Sequence, residues 1–299
     1  MPNTLIHIAI QAPLSRAIFR KAEIPWILAG AIIPDIPWIF QRFFYSIPIV
    51  DPFHLRLYAT VQASLLYCLL FTWAITAFAR KPGPVFLLVG GNCLLHLILD
   101  DFQIKWGNGV HLLAPFNWNT MDLGFIWPEH YAGYLLSVVG IIYLLFLWKT
   151  VLQEGLFLSQ TPRWKPAVVC LVIYFFTPFA FMGQLEKSNT HFLEVIHDTA
   201  IRTGRSIELD RVSFHKETAT VTTFTREKLS VTGAVPQQSA NISLKGIFLN
   251  PNSLYIEQFH VHNSYRIYAS LVGLFLVLLI WLSLLFNRRF SPHTFKESR

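Results

Sequence analysis

Seven apolar runs of spanning or near-spanning length, at residues 4–19, 24–44, 56–79, 84–101, 131–149, 166–184 and 266–287, constrain this chain more than any other feature. About 20 residues of helix cross the hydrocarbon of a bilayer. There, with no water to bond the backbone, only helices and closed barrels are viable. Composition points the same way: 53% hydrophobic residues, 14% charged and a mean hydropathy of +0.44 set the chain apart from soluble domains. The expected fold is an all-α polytopic membrane helical bundle. The run at 4–19 is the shortest and ends in Arg16, Arg20 and Lys21, which suits a tilted or re-entrant helix.

Basic residues orient these runs. The net charge of +7 would suggest a nucleic-acid partner in a soluble chain. Here the cations fall on every second connection: Arg16, Arg20 and Lys21; Arg80 and Lys81; Lys149, Arg163 and Lys165; Arg288, Arg289, Lys296 and Arg299. Lys and Arg bias marks that side as cytoplasmic. No nucleic acid is therefore expected, and the C-terminus is expected in the cytoplasm of a bacterial inner-membrane protein. An odd number of crossings then leaves the N-terminus outside. Cys68, Cys93 and Cys170 sit inside apolar runs and read as packing residues. The first run contains His7 and lacks a small-residue cleavage site, so a cleavable signal peptide is not expected.

Between the last two apolar runs the pattern changes. Ser206 to Phe214, Thr218 to Thr225, Leu229 to Val235, Ile242 to Leu249 and Leu254 to Val261 alternate with period two and are rich in β-branched and aromatic residues. Gly233 and Asn250-Pro251-Asn252 punctuate them as turns. The expectation is a small extracytoplasmic β-domain, preceded by a helix around Asn189 to Thr203. The chain thus divides into a helical bundle at 1–184, a β-rich insert at 185–264, and a final helix with a cytoplasmic tail at 265–299.

Potential metal ligands lie at matching ends of the apolar runs: His7, Asp35, His54, and the pair His96 and Asp100. The topology places all five on the outer side. Residues i and i+4 share a helix face, so His96 and Asp100 project together and Asn92 extends the stripe inward. Ionisable residues at membrane depth are costly and mark function. Individually, each has an ordinary reading. A histidine at a helix end bonds at the interface, Asp35 beside Pro34 and Pro37 interrupts a helix, and His96 with Asp100 forms a buried hydrogen bond. Together on one side of one bundle, they point to a divalent metal. Nitrogen and carboxylate ligands without thiolate suit zinc, manganese or iron.

His7, Ala31-Ile32-Ile33-Pro34-Asp35, and His96-Leu97-Ile98-Leu99-Asp100-Asp101 followed by Gly107 to Pro115 resemble the bacterial LexA-regulated, membrane-bound metal-dependent hydrolase family. The resemblance covers roughly residues 1–120. It is more remotely similar to the ligand order of the zinc-dependent phospholipase C and nuclease fold. It implies metal-assisted hydrolysis of a lipid or other phosphoester, with His7, Asp35, His96 and Asp100 as ligands and His54 as a fifth. Asp101, off the ligand stripe, is the candidate for orienting a ligand or accepting a proton. Where the family carries a second histidine before serine, this chain reads Val61-Gln62-Ala63-Ser64, and His54 is followed by Leu55-Arg56. Asp51, Asp101, His111, Asp122, Glu129 and His130 are possible substitutes, His111 first among them.

Other residues carry less. Trp26, Trp106, Trp118 and Trp127 read as interfacial anchors. His260 and His262 share one strand face but lack a third partner at a defined spacing, so they read as surface histidines. Asn241-Ile242-Ser243 matches a glycosylation sequon, relevant only in a eukaryotic secretory compartment. A rival reading is a non-catalytic membrane protein, a pseudoenzyme or partner-binding scaffold with a structural metal site. A transporter is a third, disfavoured because transporter sites typically lie at the midplane. Membrane lipids are the expected surroundings in every case.

Overall fold

The computed structural model describes residues 3–154, 158–159 and 161–290. Among them, five segments are long and apolar enough to cross a membrane. The first is Ile24–Tyr45, which comprises helix α2 (Ile24–Ile32), a 3-10 turn at Ile33–Asp35 and helix α3 (Ile36–Tyr45). The others are α6 (Pro82–Asp101), the greater part of α7 (Tyr131–Glu154), the pair α8 (Trp164–Phe176) and α9 (Pro178–Ser188), and much of α11 (Tyr265–Phe290). The expected run at 56–79 instead forms α4 (Pro52–Gln62) and α5 (Leu65–Thr76), which meet at a 71° bend. Helix α1 (Thr4–Ile18), at 15 residues, is short for a crossing. The expected tail with Lys296 and Arg299 lies outside the described residues.

The expected all-α class is corrected by the insert between α9 and α11, which makes the fold mixed. Strands β1 (Ser206–His215), β2 (Thr220–Thr222), β3 (Lys228–Gly233), β4 (Ala240–Asn250) and β5 (Ser253–His262) form a closed barrel in the order β1-β2-β3-β5-β4. All pairings are antiparallel except β3 with β5, which run parallel and complete the ring. Alternation is the cause: Ile207, Leu209, Val212 and Phe214 of β1 turn inward with Ile242, Leu244, Leu254 and Ile256 to fill the barrel. The helix expected around Asn189 to Thr203 is only α10 (Leu193–His197) and a 3-10 turn at Thr199–Ile201. Arg202, 1% exposed, closes that segment onto the barrel. Its guanidinium donates to the carbonyls of Val195, Ile196 and Pro251 and to both oxygens of Glu227.

The bundle core gathers Leu5, Ile8, Ile27, Leu28, Val89, Cys93, Leu144 and Val277 from α1, α2, α6, α7 and α11. Without a strong hydrophobic drive between helices in lipid, close backbone approach at small residues does much of the packing. Gly30 of α2 meets α6 so closely that an added Cβ would lie 2.6 Å from Asn92 Cβ and 2.7 Å from Val89 O. At Gly140 of α7 it would lie 2.3 Å from the carbonyl oxygen of Leu5 on α1.

That contact generates a prediction. Gly140→Ala forces α1 away from α7, and overpacking of this kind costs about 1–3 kcal/mol. Thermal unfolding of the detergent-solubilised protein should show a lowered midpoint, whereas Gly183→Ala, where an added Cβ meets nothing within 4 Å, should leave it close to wild type.

Candidate metal centre

Two helices and one turn bring four of the expected ligands near one another. His7 lies one turn into α1, whose first turn is capped by Asn3: its side chain accepts from Ile6 N–H and donates to Ser137 Oγ on α7. Asp35 closes the 3-10 turn between α2 and α3. Pro34 and Pro37 each remove a backbone donor, so a regular helix cannot run through this point. His96 and Asp100 occupy successive turns of α6, and one turn earlier Asn92 ties that helix to α1 by hydrogen bonds with Ser15 at 3.0 and 3.1 Å.

The four side chains are all buried. His7 Nε2 lies 3.4 Å from Asp100 Oδ1, and His96 Nε2 lies 3.6 Å from Asp35 Oδ1 and 3.9 Å from Asp100 Oδ1. Among the described residues, none of these four atoms makes a hydrogen bond. A buried polar atom without a hydrogen bond costs about 1–3 kcal/mol, a cost that the His–Asp contacts offset in part and that a bound cation would offset further. Zinc ligands sit about 2.1 Å from the ion, which sets the edge of a tetrahedron at about 3.4 Å. The His7–Asp100 and His96–Asp100 separations approach that edge, and the ligand atoms of these three residues all lie within 4.8 Å of one another; Asp35 stands outside that group, 3.6 Å from His96.

Groups behind the cluster orient it. His96 Nδ1 is 2.8 Å from the carbonyl oxygen of Ala31, which takes the Nδ1 proton and leaves the Nε2 lone pair facing Asp35. The other oxygen of Asp100 is 3.3 Å from Lys105 Nζ, also buried. His7 Nδ1 is 3.5 Å from the side-chain amide of Gln11, whose oxygen has no partner. A half-turn of that amide would set the oxygen against an Nδ1 proton and free Nε2 on the same pattern as His96. Such outer contacts fix tautomer and ring direction at metal sites. The His7 and His96 rings stack in parallel, 3.6 Å between centroids. Their lone pairs therefore run side by side, and a single ion shared by both would tilt the rings apart.

The remaining expected residues lie elsewhere. His54 is exposed at the start of α4, paired with Asp51, whose carboxylate also caps that helix through the N–H groups of Phe53 and His54. That pairing keeps it out of the cluster. Asp101 is buried beside Asp100 but forms no ion pair among the described residues, and its carbonyl accepts from Gly124 N–H. Gln62, at the position where the resemblance expects histidine, donates to Tyr58 Oη and to the Tyr174 carbonyl, packing α4 against α8. His111 hydrogen-bonds the Trp118 carbonyl at 3.0 Å, and burial lowers its pKa to about 4.

A second group was not anticipated. Glu129, just before α7, receives His262 Nδ1 at 2.9 Å and His260 Nε2 at 3.3 Å, the third partner that the His260-Val261-His262 spacing lacked. Burial opposes ionisation of Glu129, but the two histidines and Arg211 outweigh it and hold the carboxyl well below the usual range. Both this group and His7, His96 and Asp100 have the spacing to hold a metal ion. The two differ in one respect: Glu129 is already hydrogen-bonded to both of its histidines, whereas the four facing atoms of the bundle cluster make no hydrogen bond among the described residues. Gln11 and Lys105 were also missed. The former is signalled only by its i+4 spacing from His7.

No family model, curated protein or solved structure matches the chain.

The geometry leads to a measurement. Protein purified with added zinc or manganese should retain close to one ion or more per chain, and His96→Ala or Asp100→Ala should weaken retention about tenfold or more, since a site loses both a bond and its shape. Full retention in the double variant by elemental analysis would remove the bundle cluster as the site.

Proposed function

We propose that this protein is a membrane-bound, metal-dependent hydrolase whose substrate is a phosphoester or lipid-type molecule reached at the outer interface of a bacterial inner membrane. The convergence of four buried ligand atoms, none hydrogen-bonded among the described residues, from α1, α6 and the turn at Asp35 carries the reading. Zinc is the first choice of ion, with manganese and iron as alternatives, because the donors are imidazole and carboxylate. When bound, such an ion polarises a phosphoryl oxygen and makes water a nucleophile near neutral pH. His7, His96, Asp35 and Asp100 are its ligands, and Lys105 and the Ala31 carbonyl hold Asp100 and His96 in place. The resemblance to the LexA-regulated hydrolase family supports the same reading over residues 1–120. Asp101 remains the proposed proton acceptor on the strength of that resemblance and its place beside Asp100. The C-terminus is assigned to the cytoplasm from the distribution of Lys and Arg.

One observation favours a second reading, a metal-holding scaffold without turnover. The family's second histidine is here Gln62, committed to packing, and His54 is held away by Asp51.

Hydrolysis of phospholipids and small phosphoesters by the metal-loaded protein separates the two. Asp35→Asn removes a negative ligand with little change in volume, and should lower turnover by two orders of magnitude or more while expression stays intact. Equal rates in both proteins would reject catalysis at this site, and a metal-loaded, inactive wild type would select the scaffold.

A further inference from the structure

A cavity of about 390 Å³ lies where the barrel meets the bundle, and four arginines reach it: Arg42 of α3, Arg56 of α4, Arg211 of β1 and Arg266 of α11. Asp210 is the one carboxylate among its lining residues. Among the described residues, no carboxylate stands within ion-pair distance of Arg42, Arg56 or Arg266. The Arg56 guanidinium rests over the rings of Phe192 and Phe224 at 5.0 and 4.6 Å, and Arg266 is 9% exposed. Arg211 already has Asp210 at 3.8 Å and Glu129 at 3.5 Å, which leaves Arg42, Arg56 and Arg266 as like charges lining one cavity without a carboxylate at ion-pair distance, an arrangement that a bound anion would relieve.

The backbone of β1 is bent to achieve this. Adjacent residues of a regular strand point to opposite faces, yet Asp210 and Arg211 both line the cavity. The register of β1 on β4 shifts between Leu209 and Val212, and Arg211 sits at φ +56°. A bulge re-aims a side chain in this way and is common beside functional sites. A non-glycine residue in the left-handed region is strained and is retained where the surroundings demand it. Arg211 Nη2 is buried without a hydrogen bond, its neighbour Glu129 Oε1 being 3.5 Å away.

Trp38, Arg42 and Arg266 also line a smaller cavity of about 50 Å³ that reaches Asp35. The smaller cavity therefore lies between the arginine cavity, with which it shares Trp38, Arg42 and Arg266, and Asp35 of the cluster. We infer that the cavity is an anion subsite that binds a phosphate group through Arg42, Arg56, Arg211 and Arg266. Planar guanidinium forks match phosphate oxygens two at a time. The inference deepens the hydrolase reading by naming the group that positions the substrate, and rests on it for that role only. The phosphate comes either from a lipid headgroup or from a water-soluble phosphoester.

The test uses the full chain in neutral detergent micelles. Inorganic pyrophosphate is titrated by calorimetry, and phosphatidic acid against phosphatidylcholine by competition in mixed micelles, both with chelator present to remove metal. Wild type should bind one or both phosphate probes, and preference between them identifies the source. Arg211→Gln and Arg266→Gln should each weaken binding tenfold or more. Asp210→Asn removes the opposing charge and should tighten binding severalfold, a gain that misfolding does not produce. Absence of binding to both probes, or binding indifferent to all three substitutions, overturns the subsite. If the arginine variants lose phosphate while no substrate is ever turned over, the subsite stands and the hydrolase reading falls. If turnover is found and the arginine variants keep it with unchanged KM, the reverse holds.

Discussion

Four buried polar atoms of His7, Asp35, His96 and Asp100, which face one another at 3.4–3.9 Å but make no hydrogen bond among the described residues, set the terms for the rest of this fold. Burying them without hydrogen bonds is among the costlier things a chain can do. The surrounding structure is arranged to keep them there. Gly30 and Gly140 draw α2 onto α6 and α7 onto α1, the two helices that carry His7 and His96. Asn92 and Ser15 stitch those helices together one turn inward, and the Ala31 carbonyl and Lys105 hold the outward-facing atoms of His96 and Asp100. A cluster so braced holds its proposed ligand atoms in place, in keeping with the proposed ion. The stacked imidazoles mark the one part that has to give when it arrives.

Much of this was legible in the chain, and the reasons differ by element. Long apolar runs and the i, i+4 spacing of His96 and Asp100 are local signals, and the strands followed their period-two alternation closely, from Ser206–His215 to Ser253–His262. The bend between α4 and α5 was hidden because hydropathy is continuous through Ser64. Closure of the barrel was equally hidden, since the parallel pairing of β3 with β5 joins strands separated by β4 and leaves no local trace. His54 seemed a ligand because it sits at the correct level. What the sequence does not reveal is that Asp51, three residues before it, binds the same ring and caps the same helix.

The arginine cavity illustrates the same limit from the other side. Arg42, Arg56, Arg211 and Arg266 come from four elements spread across the chain, and no local spacing relates them. Only the docking of the barrel onto the helices makes them neighbours. That docking is specific: Arg226 donates to the Tyr45 carbonyl, Glu208 accepts from Gly107 N–H, and Glu129 takes both histidines of β5. The barrel thus docks against the helical region through these contacts and itself contributes Asp210 and Arg211 to the cavity.

Closure of the strands into a ring has a further effect on how this region meets its surroundings. An open sheet presents unpaired backbone donors and acceptors along its edges and invites another strand to join, whether from a partner or from a second copy. In the ring β1-β2-β3-β5-β4 every strand has a neighbour on both sides. Contact with other molecules at this surface is therefore made by side chains, and its selectivity is open to change by single substitutions that leave the strand register untouched. A domain of this kind can stand crowded at a membrane face without adding strands to its neighbours.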